Sequence, residues 1–370
     1  MRYTRLDGLR GLLAVLVALN HSFMILAIPV FANIWGQDIF HFTSVQSKLQ
    51  QLSMLIGNGG LAVSIFFVLS GFVLAQSSKS WDFSLPQILT FYIRRFLRLY
   101  PVYLFLIIVS ALYMWSGFVY KIYPAASSWF HWWMQFDMTL KELLLNATFV
   151  HTYLGGVTWT LRVILLASLL FPPMMYLSKK ASLGINILVF FLLAWGSFKL
   201  LDFPGFNDLR FTYMFFLGSI LPRFKEKFEM KIPSIIILLL IPLTVYVLNF
   251  RYQNEIHLAG LVESVYAFLI LGLMSYNKLR IFDFLDTKIF QFLGKISYSL
   301  YLVHFTVLYI FAKYALEYIS PNLMSANYFL SHTIFFLVTT VLAIGVSVLV
   351  YRYLETPALA LSKRVKINQS

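Results

Sequence analysis

The sequence predicts an all-α, polytopic integral membrane protein of about ten transmembrane helices, with both termini in the cytoplasm. Three observations carry that expectation. The chain of 370 residues is 60% hydrophobic and only 12% charged, where soluble domains carry roughly 25% charged residues. Its apolar residues gather into runs that can cross a bilayer core, which takes about 20 helical residues. Its basic residues divide unequally between the two faces that those runs define.

Spans are expected near residues 9–31, 57–77, 96–116, 158–178, 183–200, 208–221, 232–250, 258–275, 294–315 and 327–353. The first run is too long for the apolar part of a cleaved signal and has no small-residue cleavage site, so it reads as a span. The run at 208–221 is short and opens near Arg210, which suits a tilted helix or one longer than its hydropathy indicates. With the N-terminus inside, 21 of the 29 Lys and Arg residues fall on the inner side and seven on the outer, with Arg162 inside a span. The net charge of +14 is then explained by cytoplasmic loops rather than by nucleic-acid binding. Residues 1–358 read as one membrane domain and 359–370 as a short basic cytoplasmic tail. The chain has no cysteine, which excludes disulfides, thiolate catalysis and cysteine-held metal. No His/carboxylate cluster has clear ligand spacing, so no metal is expected.

The first span carries the most chemistry. Arg10 and His21 are eleven residues apart, three turns plus roughly 20°, so they share one helix face with a rise of about 16 Å between them. Ionisable groups at that depth are costly and usually face a cavity or a partner. His21 is either a neutral interhelical hydrogen-bonding group or a general base in a dry site. Asp7 stands i,i+3 from Arg10 and can pair with it. The third span opens with Arg94-Arg95-Phe96-Leu97-Arg98-Leu99-Tyr100-Pro101. Its arginines, expected at a helix N-terminus, suit either phosphate or anionic lipid. In the second span Ser64, Gly71 and Ala75 form a small-residue strip suited to helix packing, while Ser70 can line a cavity. In the ninth, Tyr298, Tyr301 and His304 share one stripe, as a cavity wall or a structural Tyr–His bond. The longest loop, about 117–157, holds Trp129, His131, Trp132, Trp133, His151 and Tyr153. It reads as an interfacial belt or as a platform on which sugar faces stack.

Together these pieces resemble the acyltransferase-3 family of membrane proteins, which O-acylate glycans and some small molecules. The resemblance runs from end to end. Its carriers are Arg5-Leu6-Asp7-Gly8-Leu9-Arg10-Gly11 with His21, Phe66-Phe67-Val68-Leu69-Ser70-Gly71-Phe72, Arg95-Phe96-Leu97-Arg98-Leu99-Tyr100-Pro101, Ser297-Tyr298-Ser299-Leu300-Tyr301-Leu302-Val303-His304 and Tyr351-Arg352-Tyr353-Leu354-Glu355-Thr356-Pro357. It implies a ten-span core in a bacterial inner membrane and an acyl-CoA donor, acetyl-CoA above all, entering from the cytoplasm. It also implies a glycan acceptor on the far side. His21 would be the catalytic base or acyl acceptor beside Arg10. Arg94, Arg95 and Arg98, with Ser70, would hold the donor. Asp7, Tyr298, Tyr301, His304, Trp159 and Arg162 would line the cavity or meet the acceptor. One departure stands out: many relatives carry a Glu shortly after the Trp-Ser/Thr-Leu motif of the fourth span, where Trp159-Thr160-Leu161-Arg162-Val163 is followed here by Ile164 and Leu165. Arg162 then lacks its nearest expected partner. Either another acid substitutes, with Glu263 and Glu317 as candidates, or the site is altered or inactive. The rival classes are a transporter or flippase, which also buries ionisable residues, and a non-catalytic glycan-assembly partner.

Overall fold

The computed structural model describes residues 4–27, 44–199, 207–231, 234–254, 256–277 and 279–365. Regular structure among them is helical, apart from one isolated bridge between Leu26 and Ala126. The chain opens with α1 (Thr4–Ser22), α2 (Val45–Ile56), α3 (Gly59–Ser77) and the long α4 (Leu85–Trp115). The loop that follows holds two short helices, α5 (Ser128–His131) and α6 (Leu140–Ala147). Then come α7 (Thr158–Lys180), α8 (Leu183–Lys199), α9 (Thr212–Ile220), α10 (Lys225–Glu229), α11 (Ser234–Gln253) and α12 (Ile256–Tyr276). The last part comprises α13 (Lys288–Tyr318), α14 (Pro321–Ala326), α15 (Tyr328–Val350) and, after a π-turn at Tyr351–Glu355, α16 (Thr356–Arg364). Among the described residues, six stretches are long and apolar enough to cross a membrane: Val45–Ser77, Leu85–Trp115, Thr158–Lys180, His257–Tyr276, Lys288–Tyr318 and Tyr328–Arg364. Leu183–Lys199 and Leu238–Arg251 are shorter apolar helices.

Three elements differ from the expected spans. α1 starts at Thr4 and stops at Ser22, because the chain beyond it is taken up by the long loop. Ser127 N–H donates to the Ile25 carbonyl at 2.8 Å and Ala27 N–H to that of Ala125 at 2.9 Å. The outer end of the expected first span, 28–31, lies outside the described residues, as do Arg2 and Lys278, and residues 366–370 of the basic tail. α4 begins at Leu85, with Pro86 in its first turn, where a missing N–H costs nothing. Leu85, Leu89, Ile93 and Phe96 make an exposed apolar stripe along this early part, so the helix runs well before the expected start at 96. Its arginines therefore sit within the helix, and the expected help from a helix N-terminus is lost. α9 is nine residues long and every one is buried; with the 3-10 turns on either side and α10 it forms an unbroken helical run over 207–229, longer than its hydropathy indicates.

Glycines set the closest helix crossings. A Cβ on Gly294 of α13 would lie 2.0 Å from the Asp7 carbonyl oxygen, and one on Gly11 would lie 2.5 Å from the Gly294 nitrogen. α1 and α13 thus touch backbone to backbone. The same holds for α3 and α9, where Gly71 meets the Phe215 carbonyl and Gly218 that of Val68, each with 2.0 Å left for a Cβ. The small-residue strip of the second span is accordingly a packing face at Gly71. Near its start α1 is also tied to 280–286 by Arg5, which pairs with Asp283 at 2.5 Å and Asp286 at 3.0 Å.

Candidate active site

Two cavities meet in the middle of the bundle. The first, of about 230 Å³, opens at the end where α1 starts and is lined by Arg10 from α1, Ser70 from α3, Arg95 and Arg98 from α4, and Tyr298 from α13. The second, of about 290 Å³, lies toward the end of α1 and is lined by His21, Trp129, Trp133, Trp159, Arg210 and Arg251, among others. Val63 and Tyr301 line both. The eleven-residue spacing on α1 therefore places Arg10 in one cavity and His21 in the other, with Tyr301 between them.

In the arginine cavity, Arg95 Nε donates to Ser168 Oγ at 3.0 Å, which fixes the guanidinium against α7. Tyr298 donates its hydroxyl to the Leu99 carbonyl at 2.5 Å, pinning α13 to α4 beside Arg98. Asp7 and the buried Glu355 are the carboxylates whose charge acts on Arg10, and Glu355 also accepts from Ser299 Oγ at 2.6 Å. Arg94 lines neither cavity: its Nε and Nη2 donate to the Val365 carbonyl at 3.0 and 2.8 Å. Arg98 stands i,i+4 from Arg94 and i,i+3 from Arg95; the i,i+3 pair shares the cavity face, and Arg94 secures the end of α16. Ile164, at the place of the family's Glu, lines this same cavity.

In the histidine cavity, the imidazoles of His21 and His304 join through His21 Nδ1 and His304 Nε2, 3.1 Å apart. His304 Nδ1 stands 3.2 Å from the Leu300 carbonyl. A carbonyl only accepts, so His304 carries its proton on Nδ1, its Nε2 must accept, and His21 Nδ1 must donate. The lone pair of His21 is left on Nε2. His304 is 2% exposed, and Trp129 and Phe305 pack on the His21 ring with centroids at 5.2 and 6.1 Å. Trp129 and Trp133 are thus cavity wall, held in place by the loop's bonds to residues 25–27 and by Ser127 Oγ donating to the Met24 carbonyl. Trp132 points away and is exposed. A bond between the Thr160 and Tyr301 hydroxyls, 3.1 Å long, fixes the tyrosine at the junction.

The acids suggested as replacements are engaged elsewhere. Glu263 is buried and receives Arg251 Nε at 2.6 Å, Arg251 Nη2 at 2.7 Å and Ser64 Oγ at 2.7 Å. Glu317 pairs with Lys121 at 2.5 Å and with Lys313 at 3.6 Å. Neither touches His21. Arg162 does have a carboxylate partner, Asp208, 46 residues onward, and it also donates to the Val150 carbonyl at 3.0 Å. It lines neither cavity and ties α7 to two loops. Thr160, Ser168 and Glu355 were not singled out by sequence reasoning for this site. Thr160, beside Trp159, and Glu355, inside the closing 351–357 motif, carried a local signal, and Ser168 carried none.

The fold and this two-chambered site define a multi-pass integral membrane protein with an ionisable cluster inside its helical bundle. The family model described as an acyltransferase domain matches residues 3–352, and the chain belongs to that family, acyltransferase-3. It is also similar to the acyltransferase MdmB of Streptomyces mycarofaciens, 36% identical over 104 residues, 28% of this chain. The matched stretch spans a quarter of that relative's length. No solved structure matches the chain significantly.

Proposed function

We propose that the protein moves an acyl group, acetyl above all, from acyl-CoA in the arginine cavity to a hydroxyl of a glycan in the histidine cavity. The observation that carries this reading is the pair of cavities that share Val63 and Tyr301, one with three arginines and the other with His21. Arg10, Arg95 and Arg98 offer guanidinium forks to the donor's phosphates. On this reading the donor reaches them from the cytoplasm of a bacterium, the side on which the distribution of basic residues is expected to put these arginines. His21 Nε2 takes the proton of the acceptor hydroxyl as its oxygen bonds to the thioester carbonyl carbon. The carbon–sulfur bond then breaks, and CoA leaves as a thiolate that is protonated on release. His304 keeps His21 in the tautomer with Nε2 free, as a positioning residue. A dry junction limits hydrolysis of the thioester. An acid near Ile164 is not needed on this route, because the Leu300 carbonyl ends the chain of hydrogen bonds.

The test uses purified protein in nanodiscs with labelled acetyl-CoA and follows CoA release and label on protein or glycan. Release that is lost in His21→Ala supports the reading. Coenzyme A should also raise the melting temperature, and Arg95→Ala with Arg98→Ala should abolish the rise. A protein that neither binds coenzyme A nor releases it from acetyl-CoA refutes the acyl-CoA reading and favours a transporter.

A further inference from the structure

The histidine cavity holds two arginines that differ in their surroundings. Arg251 is matched by Glu263, which takes both its Nε and its Nη2. Arg210 has no such partner: among the described residues no carboxylate lies within ion-pairing distance of it, and the nearby Asp208 is committed to Arg162. Its guanidinium carbon instead lies over the Phe211 ring, 4.8 Å from the centroid, a contact that uses none of its N–H groups as conventional donors. Trp129, Trp133 and Trp159 stand around the same space. Arg210 is half-buried and feels the charge of Asp208, two residues away, without pairing with it, so an incoming anion can supply the close counter-ion that it lacks.

We infer that this cavity selects an acidic acceptor, a sugar bearing a carboxylate, with Arg210 gripping the carboxylate and the tryptophans stacking on the sugar face. The inference rests on the proposed transferase reading for the word acceptor, but the binding it describes needs no turnover. A planar fork meets a carboxylate in two parallel hydrogen bonds, and an uncharged sugar of the same shape would leave Arg210 uncompensated.

The experiment is a tryptophan-fluorescence titration of the full-length protein in nanodiscs with galacturonic acid oligomers and with galactose oligomers of equal length. The acidic series should bind about tenfold tighter or more, about 1.4 kcal/mol per tenfold. The margin should shrink with added salt, vanish in Arg210→Gln and survive in part in Arg210→Lys. Stabilisation of every variant by coenzyme A, which occupies the other cavity, controls for folding. Equal binding of the two series by the parent, binding of neither, or an acid preference that outlives Arg210→Gln overturns the inference. An Arg210-dependent acid preference in a protein that never releases CoA upholds this site and rejects the transferase reading instead.

Discussion

Replacing His304 by leucine removes the acceptor of the His21 Nδ1 proton while keeping an apolar side chain of moderate size in a buried position. The hydrogen bond it abolishes is 3.1 Å long, and the group left behind is a buried N–H with no partner. Leaving such a donor unmet costs about 1–3 kcal/mol, roughly 5- to 150-fold in an equilibrium or rate. The imidazole can escape that cost by shifting its proton to Nε2, which removes the base from the face where the acceptor hydroxyl arrives. Either way kcat for CoA release should fall by about one to two orders of magnitude. KM for acetyl-CoA should hold, because Arg10, Arg95 and Arg98 are in the other cavity. Glutamine at the same position can accept through its amide oxygen and should restore part of the rate. The assay is steady-state CoA release from labelled acetyl-CoA by His304→Leu, His304→Gln and the parent. Full kcat in His304→Leu, or a loss confined to KM, would refute the assignment of His304 as the residue that sets the His21 tautomer.

Other outcomes follow from packing and charge. Gly294→Ala forces a Cβ to 2.0 Å from the Asp7 carbonyl oxygen, an overpacking that costs typically about 1–3 kcal/mol; the melting temperature should drop by several degrees, and an unchanged value would contradict the backbone contact. Glu263→Leu leaves Arg251 buried without its carboxylate, a change of about 3–5 kcal/mol when one partner of a buried pair is removed. The double variant Glu263→Leu with Arg251→Met should recover much of that stability in thermal unfolding, and failure to recover would show that the pair is not the source. In the long loop, Tyr153 donates to Glu142 at 2.5 Å and His151 Nδ1 lies 2.9 Å from the same oxygen, and these contacts hold the Glu142 carboxyl below the usual carboxylate range. Its folded-state pKa is depressed, so its contribution is present above the unfolded value of about 4.3 and is lost as pH falls through the folded one. The loop should loosen on acidification, seen as a change in tryptophan fluorescence that Glu142→Gln removes from the pH profile.

Much of this arrangement was legible because the periodicity of a helix is local. The eleven-residue spacing of Arg10 and His21 gave one face, and that face does look onto the site. Of the stripe Tyr298, Tyr301 and His304, the two tyrosines line the cavities, and His304 reaches the site through its bond to His21. What the sequence left ambiguous was set by distant partners. Arg94, Arg95 and Arg98 satisfy two helical spacings at once, and the choice between them was made by Val365 and Ser168, 271 and 73 residues away. Arg162 looked unpaired because its carboxylate, Asp208, comes from another loop. The early start of α4 was hidden by its mixed composition, since an apolar stripe beside arginines lowers average hydropathy without breaking the helix. Trp129 and Trp133 could have been belt or platform, and only the strand-like pairing of residues 25–27 with 125–127 turned them inward.

That pairing has a consequence for redesign. The tryptophan wall is bonded to the backbone that directly follows His21, so the position of the wall relative to the histidine is set at that joint. Transplanting the segment 117–157 alone from a relative with another acceptor would bring new side chains on a foreign hinge and misalign them with His21. A graft that carries residues 22–27 together with 117–157 keeps the joint intact, and on the proposed acyl-transfer reading it is in such two-part exchanges that acceptor preference should transfer between relatives.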